Sequence, residues 1–265
     1  MKLSRNLLIR AGSSLILGPL AIWVLYQGGT PFLLLACVML LIGAMELLFM
    51  VTAQQFRPSI AVCVLMAFAL FYSFYNEIFT LWIIAGIAGA ILVFVLEDDR
   101  QDAMMMIMMT LFMAHVAAFA VSIREHDDGQ LFWLLLVTVT WSMDIMSYVG
   151  GMSYGKTPLA PRISPKKTVE GAVTGIVSAV VISLFLLYLI DADMIKSLTL
   201  AMILLGPFAA LCGDLLESVI KRKYGVKDSA VRGFNIIPGH GGLLDRVDGL
   251  VAVVALFYFV IALAG

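Results

Sequence analysis

Charge is scarce in this sequence. Only 13% of its 265 residues are Asp, Glu, Lys or Arg, where a soluble domain carries about a quarter. With 62% hydrophobic residues, a single water-soluble core is excluded, because its helices would have no polar face to turn toward water. Cysteine is nearly missing too. Cys37, Cys63 and Cys212 fall inside apolar runs at unrelated spacings, so they read as small core residues rather than disulfide or metal partners. The net charge of −1 says nothing about partners, and no nucleic-acid partner is expected. No inverted internal repeat of the transporter kind is visible. A cleavable signal peptide competes for the N-terminal run, but that run extends to Tyr26 with no small-x-small site after it, which favours an uncleaved first span.

What fills the chain instead is a series of apolar runs of about twenty residues, the length of helix that crosses a bilayer. Nine can be read: Leu7–Tyr26, Phe32–Thr52, Ile60–Tyr75, Ile78–Leu96, Ala103–Ile123, Leu131–Gly150, Val169–Ile190, Leu198–Leu216 and Leu243–Ala264. Gly28-Gly29-Thr30-Pro31 and Arg57-Pro58 supply turn chemistry. Asn76 and Glu77 alone separate the third and fourth runs, which therefore form a tight helical hairpin. The expected fold is an all-α polytopic membrane protein of about nine transmembrane helices.

Basic residues orient it, because Lys and Arg gather in cytoplasmic connections. With the N-terminus cytoplasmic and the C-terminus outside, fifteen of the 17 basic residues fall inside, and only Arg124 and Lys196 fall outside. The chain also divides by its loops. Residues 1–130 hold about five spans with short connections, whereas residues 131–265 carry two long cytoplasmic loops, 151–168 and 217–242, rich in Gly, Lys, Pro and Ser.

Acids inside spans are costly and mark function by default. Here they are Glu46, Asp144, Asp214, Asp245 and Asp248, all in the cytoplasmic halves of their spans on this topology. Asp245 and Asp248, three apart, share a helix face; Asp214, Ser218 and Lys221 continue one stripe. Two carboxylates on one face beside a third suit a hard divalent ion, since Mg²⁺ takes one or two carboxylates and completes its shell with water and phosphate oxygens. Helix-end salt bridges to Lys221, Arg222 or Arg246 are the alternative. In Ser164-Pro165-Lys166-Lys167-Thr168-Val169-Glu170-Gly171, Pro165 keeps its predecessor extended and Thr168 is a candidate N-cap. Two lysines at a helix N-terminus make an anion site, or else simply hold the loop inside. In the second loop Gly239, Gly241 and Gly242 let backbone approach a ligand, and His240 donates either to a phosphate or within its own turn.

These blocks resemble the phosphatidate cytidylyltransferase family. Ser218 to Asp248 is similar to its signature: S-x-x-K-R at Ser218, Lys221 and Arg222; K-D at Lys227 and Asp228; and P-x-H-G-G-x-x-D-R-x-D from Pro238 through His240, Gly241, Gly242, Asp245 and Arg246 to Asp248. Asp144 and Tyr148, Gly155-Lys156, Ile163 to Gly171, and Gly213 to Ser218 resemble further blocks. Two departures stand out: Ser229 to Ile237 is longer than the family's usual spacing, and Ile-Met-Ser follows Asp144 in place of a small polar run.

The resemblance implies that CTP and phosphatidate yield CDP-diacylglycerol and pyrophosphate with Mg²⁺ or a similar divalent cation, at the cytoplasmic face of a bacterial inner membrane. It implies Asp214, Asp245 and Asp248 as metal ligands, with Asp144 a fourth. It further implies a catalytic group of Asp144, Ser218, Lys221, Arg222, Asp228, His240, Asp245 and Asp248. Substrate contacts would come from Ser164, Lys166, Lys167, Thr168, Glu170, Lys227, Gly241, Gly242 and Arg246. The runners-up are a CTP-dependent enzyme of another lipid phosphate or lipid alcohol, and an ion or phosphate transporter. A homodimer is an open option.

Overall fold

The computed structural model describes residues 18–190, 196–231 and 241–264. Among them, eight helices are long and apolar enough to cross a membrane, and the chain is an integral membrane protein. Residues 7–17 of the expected first span lie outside the described ones; its remainder is helical over residues 18–27 (α1). The others are α2 (Gly29–Val51), α3 (Pro58–Tyr75), α4 (Phe79–Leu96), α5 (Arg100–Glu125), α6 (Gly129–Tyr154), α7 (Val169–Ile190), α8 (Ser197–Lys223) and α9 (Leu244–Ala264). The three cysteines are free, but only Cys63 is the buried core residue expected; Cys37 is half-buried and Cys212 is exposed on the apolar surface of α8.

Two compact units result, Met1–Glu125 with Tyr224–Arg246, and His126–Lys223 with Val247–Gly265. Of the second loop, residues 224–231 and 241–246 group with the early spans.

In the first unit α2 packs on α5 and α3, and α3 on α4 and α5. The expected α3–α4 hairpin forms, turning through Glu77 at φ +57°. Its far ends are fastened by charge: Arg57 at the start of α3 pairs with Glu97 at the end of α4 at 2.5 Å, and the Ser59 hydroxyl donates to the same carboxylate. Arg124 closes α1 by donating from Nε to the Leu25 carbonyl and from Nη2 to that of Tyr26, both at 2.8 Å. These are orphan carbonyls at a helix end, which a cation satisfies well.

In the second unit α6 and α7 pack most extensively. Small residues allow it, as in membrane helix pairs generally. A Cβ on Gly171 would stand 2.7 Å from the Ser147 carbonyl oxygen, and one on Gly150 2.6 Å from the Thr174 hydroxyl. Between α8 and α9 the contact is similar: a Cβ on Gly213 would lie 2.5 Å from the Asp248 carbonyl oxygen. That close approach sets the Gly213–Asp214 stretch of α8 beside Asp248 in the first turns of α9.

Helix bounds depart from the hydropathy reading by at most seven residues, most of all at the end of α8. α8 runs past Leu216 to Lys223, so the first part of the expected 217–242 loop is helix. Glu217 and Lys221 pair one turn apart, and three basic residues fill the last turn, where the dipole favours cations. The expected 151–168 loop starts later, since α6 continues to Tyr154, and its remainder holds a short antiparallel hairpin of β1 (Pro158–Ala160) and β2 (Ser164–Thr168).

Candidate active site

In the second unit the hairpin and three helices bring charge to one place. Asp144 on α6, Asp214 on α8 and Asp248 on α9 lie close enough for their charges to act on one another. A cation answers them: the Lys167 ammonium pairs with Asp214 and its charge also reaches Asp144. One turn along α8, Glu217 and Lys221 pair at 2.6 Å, both largely buried, and the Glu217 side chain also reaches Asp248. Ser218 is buried beside them. Glu217 was visible in the sequence within Gly-Asp-Leu-Leu-Glu-Ser, but no role attached to it there. The signal available was its four-residue spacing from Lys221.

The hairpin explains how one lysine enters. Successive residues of a strand point to opposite sides. Lys167 is half-buried and turns to Asp214, while Lys166 is exposed. Thr168 caps α7 as expected, accepting from the Gly171 amide at 3.2 Å. Glu170, expected to meet substrate, accepts instead from the Lys156 amide at 3.1 Å and from the Thr157 hydroxyl at 2.8 Å, and so clasps the start of the hairpin. Ser164 is held in β2 opposite Ala160. Arg222 Nε donates to the Ile163 carbonyl at 3.1 Å, tying the end of α8 to the same hairpin.

The remaining expected residues belong to the first unit. Lys227, Asp228 and Arg246 are exposed. Asp245 Oδ2 accepts from the Ser229 and Gly242 amides at 3.1 and 3.2 Å, so this oxygen ties these two residues to the start of α9. Gly241 sits at φ +79°, a conformation that only glycine adopts freely. Burial, with the Asp102 and Asp99 carboxylates nearby, pushes the Tyr224 phenol up to about 12, so it stays protonated. His240 lies outside the described residues.

A divalent ion fits the chemistry of the second unit's donors, which are hard carboxylate oxygens. Among the described residues no three His, Cys, Asp or Glu side chains form a ready cage. Magnesium does not need one, because it leaves most of its shell to water and phosphate oxygens.

Two kinds of likeness bear on this arrangement. A family model described as the cytidylyltransferase family matches residues 8–264. A phosphatidate cytidylyltransferase of Thermotoga maritima is 41% identical over 140 residues, 51% of this chain and 50% of that protein. One of Bacillus subtilis is 42% identical over 147 residues, 55% of this chain and 53% of its own. One of Staphylococcus haemolyticus is 32% identical over 240 residues, covering 88% of this chain and 90% of its own. The matched stretch spans about half the length of the first two relatives and nearly all of the third.

Proposed function

The chain belongs to the cytidylyltransferase family, and from that premise we propose that it transfers the cytidylyl group of CTP to phosphatidate at the cytoplasmic face of a bacterial inner membrane. The observation that carries the reading is the meeting of Lys167 with Asp214, beside Asp144 and Asp248. A cation and several carboxylates in one place are what a reaction between two phosphates requires.

In this reaction a phosphate oxygen of phosphatidate bonds to the α-phosphorus of CTP. The bond from that phosphorus to the oxygen bridging to the β-phosphorus breaks, and pyrophosphate leaves in line. A phosphate monoester is largely dianionic near neutral pH, with its second pKa about 6. The nucleophile therefore needs no dedicated base, and the protein's task is alignment and charge neutralisation. Asp214 and Asp248, with Asp144, would hold a divalent ion, whose chemistry is to neutralise phosphate charge. Lys167 and Lys221 lie beside these acids and supply charge to the phosphates, with Lys166, Arg222 and Lys227 as further contacts. Ser218, Asp228 and His240 orient the reacting groups. The acyl chains stay in the bilayer, since moving each CH₂ into water costs about 0.8 kcal/mol; only the head group must reach the site.

Purified protein given labelled CTP, phosphatidate and Mg²⁺ should release pyrophosphate and form lipid-soluble cytidine. Absence of both products, or product only when phosphatidate is replaced by another lipid phosphate or alcohol, would overturn this assignment. The orientation rests on the distribution of basic residues. With the three native cysteines replaced by alanine, Asp127→Cys should react with an impermeant maleimide from outside intact cells, and Arg162→Cys only after the membrane is opened. The opposite pattern reverses the topology.

A further inference from the structure

The early spans carry none of the sequence signature, yet one of their acids is built into the second loop. Glu46 of α2 is 2% exposed, and three donors converge on its carboxylate. The Leu243 amide reaches Oε1 at 2.7 Å, the Leu244 amide reaches Oε2 at 2.8 Å, and the Ser229 hydroxyl reaches Oε2 at 3.0 Å. Leu243 and Leu244 open α9, where amides have no acceptor within the helix. The residues just ahead, Gly241-Gly242-Leu243, have no side chain able to cap it. Glu46 performs the N-cap's task from another helix, and its negative charge suits the positive end of the dipole.

The linkage continues beyond the cap. Ser229, fully buried, donates its amide to Asp245 Oδ2 at 3.1 Å, and its hydroxyl oxygen accepts the Asp245 amide at 3.4 Å. Gly242 donates to the same Asp245 oxygen at 3.2 Å, and a Cβ on Gly242 would run into the Ser229 hydroxyl. Glu46, Ser229, Gly242 and Asp245 thus belong to one connected hydrogen-bonded group. A carboxylate matches this set because it only accepts, and every partner donates to it. A glutamine in the same place would turn an amide N–H₂ toward one of those donors.

We infer that Glu46 is a positioning residue for the proposed cytidylyl transfer: it fixes the first turn of α9, and with it the direction of Asp245 and its neighbours, from outside the signature. The inference rests on the functional reading, but part of its test does not. Hydrogen exchange of the wild-type protein in detergent should show Leu243 and Leu244 protected. Glu46→Gln should speed exchange of those two amides at least about tenfold, the equivalent of about 1.4 kcal/mol, leaving α7 unchanged.

In the same protein kcat should fall about a hundredfold while KM for CTP moves by less than about threefold, since misplacement of reacting groups costs turnover more than binding. Ser229→Ala should change both readouts in the same direction by less, and add little to Glu46→Gln. Because it only deletes a hydroxyl, it keeps the question answerable if Glu46→Gln exchanges everywhere and is simply unfolded. Unchanged exchange at Leu243 and Leu244 in the folded variant overturns the inference, and so does faster exchange with unchanged kcat. A wild-type protein that made no lipid-soluble cytidine would sink the functional reading, while the exchange arm would still decide whether Glu46 holds α9.

Discussion

Asp248→Asn inserts, purifies and melts like the wild type, yet its turnover falls by about a thousandfold; that is the largest effect expected of any single substitution in the chain. The reasoning starts from repulsion. Asp248 feels the charge of Asp214 and meets the Glu217 side chain, while Asp144 feels both Asp248 and Asp214. Acids crowded this closely, even beside Lys167 and Lys221, are a cost to the resting protein. Neutralising one of them relieves that cost, so folding should be unaffected or slightly improved. Catalysis responds oppositely. Magnesium takes few protein ligands, so loss of one of these carboxylates removes several kcal/mol of charge stabilisation. At about 1.4 kcal/mol per factor of ten, about 4 kcal/mol is a thousandfold. The measurement is a pair: thermal melting in detergent, and lipid-soluble cytidine formed from labelled CTP. Asp127→Asn, in the exposed α5–α6 connection, should match the wild type in both. Near-normal activity with a lowered melting temperature would make Asp248 a structural ion-pair partner and end the metal assignment.

How far the sequence could be read differs from element to element, and the reasons are physical. α7 is Val169–Ile190, the same bounds as the apolar run, because Thr168 and the extended Ser164-Pro165 mark its start in local chemistry. α8 is longer than its apolar run, since hydropathy stops at the first charges whereas the helix continues through the Glu217–Lys221 pair. The β1–β2 hairpin was invisible. Strands of three and five residues, one of them Ser-Pro-Lys-Lys-Thr, show no alternation of apolar and polar residues. That omission had a consequence at the site: read as a loop, Lys166 and Lys167 look equivalent, while the strand sends only Lys167 to Asp214. Asp144, Asp214 and Asp248 were legible because charge inside an apolar run is conspicuous. Glu46 was conspicuous for the same reason, but its partners stand 183 to 198 positions away, beyond any local pattern.

The Lys167–Asp214 pair yields the second large effect, and here stability and activity should separate. Lys167→Met should lower kcat/KM for CTP about a hundredfold, because a charge-assisted contact to phosphate contributes about 1.5–3 kcal/mol. It should also lower stability by about 1 kcal/mol, because Asp214 is left beside Asp144 and Asp248 without its cation. The stability effect is small because both side chains keep about a quarter of their surface exposed, at 25% and 28%, and water screens such pairs. Lys196→Met, at the exposed start of α8, is the control for removing a lysine as such. The double variant Lys167→Met with Asp214→Asn removes both charges of the pair. If the pair were only a structural bridge holding the hairpin to α8, the double variant would recover stability and activity together, since nothing would be left unmatched. If Lys167 serves phosphate and Asp214 serves the ion, the double variant regains its melting temperature and stays at least as inactive as Lys167→Met alone. Recovery of turnover to within about threefold of wild type in the double variant, against a hundredfold loss in the single, would assign Lys167 to architecture alone.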